Sequence, residues 1–174
     1  MFAGVLGFEL RCRLTRISTY IYAGLFLALA FIAVLAAGGG MGGARIVIGG
    51  AKVLINSPYS IALVTTTLNF FGILVIAAVA GRAVQQDFEH NLHPLLFSRP
   101  LGKLSYLGGR FAAALVIVTL IFAWVPLGIG LASAWPWLDA ERVGPNQLWA
   151  YLHPFLVMVL PNLLVTGALF FSLA

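Results

Sequence analysis

Residues Gln85–Pro100 read QQDFEHNLHPLLFSRP and gather much of the chain's reactive chemistry in one place. Two chemistries fit Asp87, Glu89, His90 and His93. The first is metal binding, because histidines three apart can share a helical face and ligate zinc. The zinc-protease helix, however, needs histidines four apart with glutamate directly after the first. Here the order is E-H-N-L-H and no cysteine stands nearby, so the metal reading is the weaker one. The second is mechanical. Asp87 and Glu89 are expected near a helix start, where negative charge is favoured. Leu92, Leu95, Leu96 and Phe97 supply an apolar face, Pro94 and Pro100 restrict the turns, and Arg99 and Lys103 lead the chain back to a membrane. Such a segment either lies on a lipid surface or docks as a helix into a soluble partner's groove. These residues do not choose between the two.

The elements that frame this stretch are oily. Apolar residues make up 61 % of the 174 residues and charged residues 9 %, against roughly 25 % charged in a soluble domain. The mean hydropathy is +1.03, and the apolar residues fall in long runs, as bilayer spans require. The net charge of +5 sits near the ends of those runs, where it reads as membrane topology and headgroup contact rather than nucleic-acid binding. The lone cysteine, Cys12, has no partner for an intrachain disulfide.

The pattern predicts an all-α polytopic membrane protein forming a single transmembrane domain. Residues 2–18 are expected as an amphipathic helix at the interface, with Glu9, Arg11, Arg13 and Arg16 on polar positions. Spans are expected at 20–37, 59–80, 111–135 and 150–174, with a loop at 83–110. The glycine run Gly38–Gly43 stops the first span, and it lacks the lysine and hydroxyl residue of a phosphate loop. Small residues there would also suit a signal-peptide cleavage site, but the further spans argue for retention. Asn56 or Ser57 is expected to cap the second span, with Pro58 in its first turn. Asn69 should face another helix rather than lipid. The threonines at 65–67 can bond back to helical carbonyls. Pro126 should kink the third span, and Pro154 and Pro161 should kink the fourth or make it re-entrant. Trp124, Trp135 and Trp137 suit an aromatic belt.

Charge sets the expected orientation. Arg11, Arg13, Arg16, Arg82, Arg99, Lys103 and Arg110 fall on one side, and only Arg45, Lys52 and Arg142 on the other. The excess of positive charge places the N-terminus and the 83–110 loop in the cytoplasm. No serine has a nucleophile-elbow setting, His153 reads as an interfacial residue, and the span centres hold no Asp, Glu, Lys or Arg. The chain is therefore not expected to be an enzyme by itself, and no cofactor is expected in it.

Several stretches resemble a known family. FELRCRLTR at Phe8–Arg16, NSPYSIAL at Asn56–Leu63 and DFEHNLHPLLFSRPLGKLSYLGGRF at Asp87–Phe111 are similar to the N-terminal part of permease subunits of type-2 class ABC exporters. WPWLDAERVGP at Trp135–Pro145 and PNLL at Pro161–Leu164 resemble the bacterial permeases fused to a zinc aminopeptidase-like domain. The resemblance implies a six-span domain of which this chain supplies about four spans, and hence a piece of a longer protein. It implies a cytoplasmic coupling helix at Asp87–Phe97, with Asp87, Glu89, Leu92, Leu95, Leu96 and Phe97 touching an ABC ATPase subunit. ATP and magnesium would belong to that subunit, since the chain has no Walker motif. A second permease copy or homologous half, the lipid bilayer and a bacterial inner-membrane location are implied too. The competing reading is a non-transporting membrane accessory or anchoring protein, which needs the same four spans.

Arg99, Lys103 and Arg110 are expected to help set orientation. Neutralising all three should raise the fraction of inverted chains in a dual topology reporter. An unchanged orientation would assign that role to other flanks.

Overall fold

A chain crossing lipid must satisfy its backbone polar groups internally, and a helix does so within one segment. The computed structural model describes residues 2–39, 54–89, 103–136, 138 and 140–173, with backbone alone at 82–89, 103 and 140. The helices are α1 (Phe2–Leu14), α2 (Ile17–Ala37), α3 (Pro58–Glu89), α4 (Lys103–Phe122), α5 (Trp124–Ser133), α6 (Leu148–Pro154) and α7 (Leu160–Leu173). A π turn at Phe155–Val159 joins α6 to α7, and Ala140–Arg142 form a 3₁₀ turn. Among the described residues four stretches are long and apolar enough to cross a bilayer: Ile17–Ala37, Pro58–Gly81, Leu104–Ser133 and Leu148–Leu173. The shortest has 21 residues, which at 1.5 Å each is about the 30 Å of a hydrocarbon core. The protein is thus an all-α, polytopic membrane protein.

Two boundaries differ from the sequence expectation. Helix α3 runs through Gly81 to Glu89 instead of stopping at the span edge. A helix-interior glycine costs only about 1 kcal/mol relative to alanine, and Ala83, Gln85 and Gln86 are residues that continue a helix readily. Asp87 and Glu89 therefore continue a helix that begins at Pro58 rather than opening a new one, so the helix-start argument for their charge does not hold. Likewise Lys103–Arg110, assigned to the loop, open helix α4.

The prolines act where their chemistry requires. Pro126 cannot donate to the carbonyl of Phe122, and the third span breaks at Ala123, between α4 and α5. The Ala123 N–H still donates to Thr119 O at 2.9 Å. The fourth span stays one helical run, widened rather than re-entrant. Pro161 cannot donate to Val157, and just before it the Leu160 N–H reaches back five residues to Phe155 O. This wider turn accommodates the missing donor.

Lipid tails are as apolar as leucine, so close packing rather than burial from water holds such helices together. The third span is the most enclosed, with half of its most apolar stretch buried, and the fourth the least, at 17 %. At the centre Phe26 of α2 meets Phe122 of α4 with ring centroids 4.8 Å apart. Ala30, Val34 and Ile129 continue that seam. Exposed Leu164, Val165 and Leu169 on α7 suit contact with lipid. Trp124 and Trp135 are both exposed, the first inside the third span and the second just past its end.

One end of the bundle is fastened mainly by neutral hydrogen bonds, with one from an arginine. Asn56 Nδ2 donates to Gly144 O and to Asn146 Oδ1, while its Oδ1 accepts from Gly144 N at 2.7 Å. Tyr151 Oη also donates to Asn146 Oδ1 at 2.8 Å. The cap of α3 is Ser57, whose Oγ accepts from the Ser60 N–H at 3.3 Å. Arg142 Nη1 donates to Ala37 O at 3.3 Å, placing a cation on the carbonyl end of α2.

Helices α2 and α5 pack closely because Gly128 has no side chain. A Cβ there would stand 2.6 Å from Leu27 O and 3.0 Å from Ala30 Cβ. At Gly130 a Cβ would meet only Tyr151, at an ordinary 4.0 Å. Gly128→Val should therefore destabilise the bundle by about 1–3 kcal/mol, while Gly130→Ala should be neutral or slightly stabilising. Thermal unfolding in detergent reads the difference, and equal midpoints for the two variants would contradict the packing account.

Candidate functional site

The opposite end of the bundle holds charge. Helix α1 ends at Leu14, and Thr15 and Arg16 turn the chain into α2. The corner satisfies itself: Thr15 Oγ1 donates to Cys12 O at 2.9 Å, and Thr19 Oγ1 donates to Arg13 O at 2.9 Å. These bonds occupy carbonyls that the end of α1 leaves without intrahelical donors. Arg11 and Arg13 in the last turn add favourable charge at that terminus.

Helix α1 then lies against the start of α4. Gly109 permits the approach, since a Cβ there would stand 3.1 Å from Val5 Cβ. The contact face of α1 is mixed, with Val5 and Leu10 partly buried beside two charged residues. Glu9 and Arg13 are buried, at 7 % and 8 % exposure, whereas Phe8 is 69 % exposed. This corrects the expected headgroup placement for Arg13. Arg11 and Arg16 are exposed. The physical reason is a partner on another helix. Arg110, expected to serve topology, is itself buried on α4. Its Nε donates to Glu9 Oε1 at 2.7 Å.

One carboxylate is thus shared by two guanidinium groups. Arg13 Nε donates to the other oxygen, Glu9 Oε2, at 3.2 Å. Arg13 Nη1 donates to Val79 O on α3 at 3.2 Å. The Arg110 guanidinium also lies 5.2 Å from the centre of the Tyr106 ring, within reach of a cation–π contact. Burial lowers the Arg13 pKa, Glu9 raises it, and the charges of Arg110 and Arg16 lower it further. Arginine begins so far above neutrality that it stays charged. The cluster joins α1, α3 and α4, the last two being the helices on either side of residues 90–102.

The other expected site residues fall as follows. Arg82, Asp87 and Glu89 are on α3, and Lys103 is on α4. Leu92, Leu95, Leu96, Phe97 and Arg99 lie outside the described residues, as do His90 and His93 of the metal reading. The structure therefore assembles Glu9, Arg13 and Arg110 and leaves the coupling set undescribed. No protein-family model, curated protein or solved structure matches this chain. The family resemblance rests on its motif residues alone.

A second polar feature lies within the second span. Asn69 is 5 % exposed and faces other helices, as expected, and Thr65 stands one turn before it at 2 %. Thr67 Oγ1 bonds back to Leu63 O at 2.8 Å, and Thr66 Oγ1 donates to Met158 Sδ at 3.1 Å. The expectation of back-bonding fails at Thr65, whose Oγ1 has no partner, and Asn69 Oδ1 has none either. Such a polar pair at span depth would favour added polar contacts.

The cluster predicts a mutational signature. Glu9→Gln leaves two buried cations without their anion and should cost about 3–5 kcal/mol. Replacing Glu9, Arg13 and Arg110 together by leucine, methionine and methionine should recover most of that loss, because the buried charges go together. Thermal unfolding of the purified variants checks this. A triple variant no better than Glu9→Gln would show that packing, not charge balance, governs the site.

Proposed function

We propose that this polytopic membrane protein is the permease part of an ATP-driven transporter of the type-2 ABC class, working in export. ATP hydrolysis belongs to a separate cytoplasmic subunit on this reading. The coupling element is the segment Asp87–Phe97, held on the cytoplasmic side. The observation that carries the proposal is the shared carboxylate. Through Glu9 and Arg13, both helices flanking residues 90–102 are tied to α1, and α1 turns into α2 within two residues. A push on the polar segment then reaches three helices of the bundle together rather than bending one. Alternating access needs such a concerted displacement between two global states. The motif residues quoted for the family, which cover both the α1 region and the Asp87–Phe111 stretch, support the same assignment. A second copy or a homologous half completes the pathway.

Leu95 and Leu96 are the apolar anchors of the docking contact. Replacing both with Asp should abolish co-purification of the ATPase from detergent-solubilised native membranes while leaving the amount of inserted chain unchanged. Tagged pull-down with intact-mass detection reads both quantities. An ATPase retained at wild-type stoichiometry on the double variant would overturn the docking role. Wild-type chain recovered without any ATPase would point to a non-transporting accessory protein.

A further inference from the structure

Two side-chain amides, Asn69 and Asn162, stand at one level of two neighbouring spans. The level follows from chain direction and one contact. Asn56, just ahead of α3, bonds Gly144 and Asn146, just ahead of α6, so the second and fourth spans start from the same end and run the same way. Thr66 Oγ1 donates to Met158 Sδ at 3.1 Å and fixes their register. Asn69 follows Thr66 by three residues and Asn162 follows Met158 by four, so each lies one helical turn further on along the same face. The two amides are therefore level to within about 1.5 Å, one residue's rise.

Neither amide is satisfied. Asn69 Oδ1 has no hydrogen-bond partner, nor has Thr65 Oγ1 one turn before it, and both atoms are sealed from solvent. Surrounding lipid offers no donor either. In this packing, then, only the shift of a helix can bring one. Asn162 is half-buried, and its side chain makes no hydrogen bond among the described residues. It carries two N–H donors, which is what Asn69 Oδ1 lacks.

The fourth span is the one placed to move. The π turn Phe155–Val159 precedes Pro161 and Asn162, so the hydrogen-bond ladder is irregular where α7 begins. Helices bend at such points. This span is also the least enclosed of the four, so α7 changes its seat with little loss of packing. We infer that α7 swings about the π turn between the packing described above and a second one, in which the Asn162 amide donates to Asn69 Oδ1. The first packing seats Val159 and Leu163 fully in the core. The second exchanges part of that contact for an interhelical hydrogen bond. Such bonds are modest in lipid, so the two packings lie close enough in free energy for both to be populated. The inference involves only these two spans and stands apart from the permease reading.

The experiment uses the full chain in lipid nanodiscs. Cys12→Ser removes the lone cysteine, and Leu74→Cys and Leu169→Cys carry nitroxide labels at exposed positions of α3 and α7. Double electron–electron resonance reads the distance between the labels. The expected result is two distance populations. The ratio of the second to the first should fall about threefold or more in Asn162→Leu and in Asn69→Leu, as loss of one interhelical hydrogen bond implies. Asn162 is only half-buried, so Asn162→Leu keeps the test decisive if Asn69→Leu fails to fold. A single population in the labelled parent, or a second population that either leucine substitution leaves unchanged, overturns the inference.

Discussion

The carboxylate of Glu9 is the constraint on which one whole end of this bundle depends. Two guanidinium groups from different helices share its two oxygens, and one of them reaches a third helix through the Val79 carbonyl. Taking these groups out of water is expensive, and only their mutual satisfaction makes burial tolerable. That requirement fixes which face α1 turns inward. An amphipathic helix on a lipid surface would bury its leucines and expose its arginines. Helix α1 instead buries Arg13 alongside its half-buried Leu6 and Leu10, because the Glu9 it pairs with is shared with Arg110 on α4.

The two ends of the bundle solve the same fastening problem with different physics. At one end Asn56 exchanges neutral hydrogen bonds with Gly144 and Asn146, and no net charge is involved. At the other end the fastening is ionic, the positive charges outnumber the negative, and a guanidinium nitrogen is left over. The chain between α3 and α4 leaves and re-enters the bundle at this same end, so the ionic fastening and the polar insertion share one side of the molecule.

Much of the architecture was legible in the chain because bilayer spans are written as long apolar runs with prolines and glycines as punctuation. The four spans, the break ahead of Pro126 and the buried side of Asn69 all follow from local chemistry. Helix ends were less legible. Gly81 reads as an edge, yet one glycine does not stop a helix whose next residues favour it, and α3 continues to Glu89. The ionic site was half visible. Glu9 and Arg13 stand four apart with the acid first, the favourable order on a helix. Arg110 is 101 residues from Glu9. Nothing local distinguishes it from the flanking cations that set topology, because a buried arginine and a headgroup arginine have the same neighbours in sequence. Only the packing of α1 on Gly109 separates the two.

That packing also decides how a load would spread through the molecule. A helix pushed at its end bends first where its own hydrogen bonds are weakest. In the third span that place is Ala123, where Pro126 removes a donor. The shared carboxylate lies on the near side of this break, so α1, α3 and α4 would move together before the break is reached. Helix α5 lies beyond it and is packed tightly on α2 through Gly128. Because α2 continues from α1 across a two-residue corner, displacement of α1 reaches α5 by a second route that bypasses the break. The two routes converge on the same helices from opposite sides of Ala123. A bend at Ala123 would change the angle between α4 and α5 while the close seat of Gly128 keeps α5 against α2.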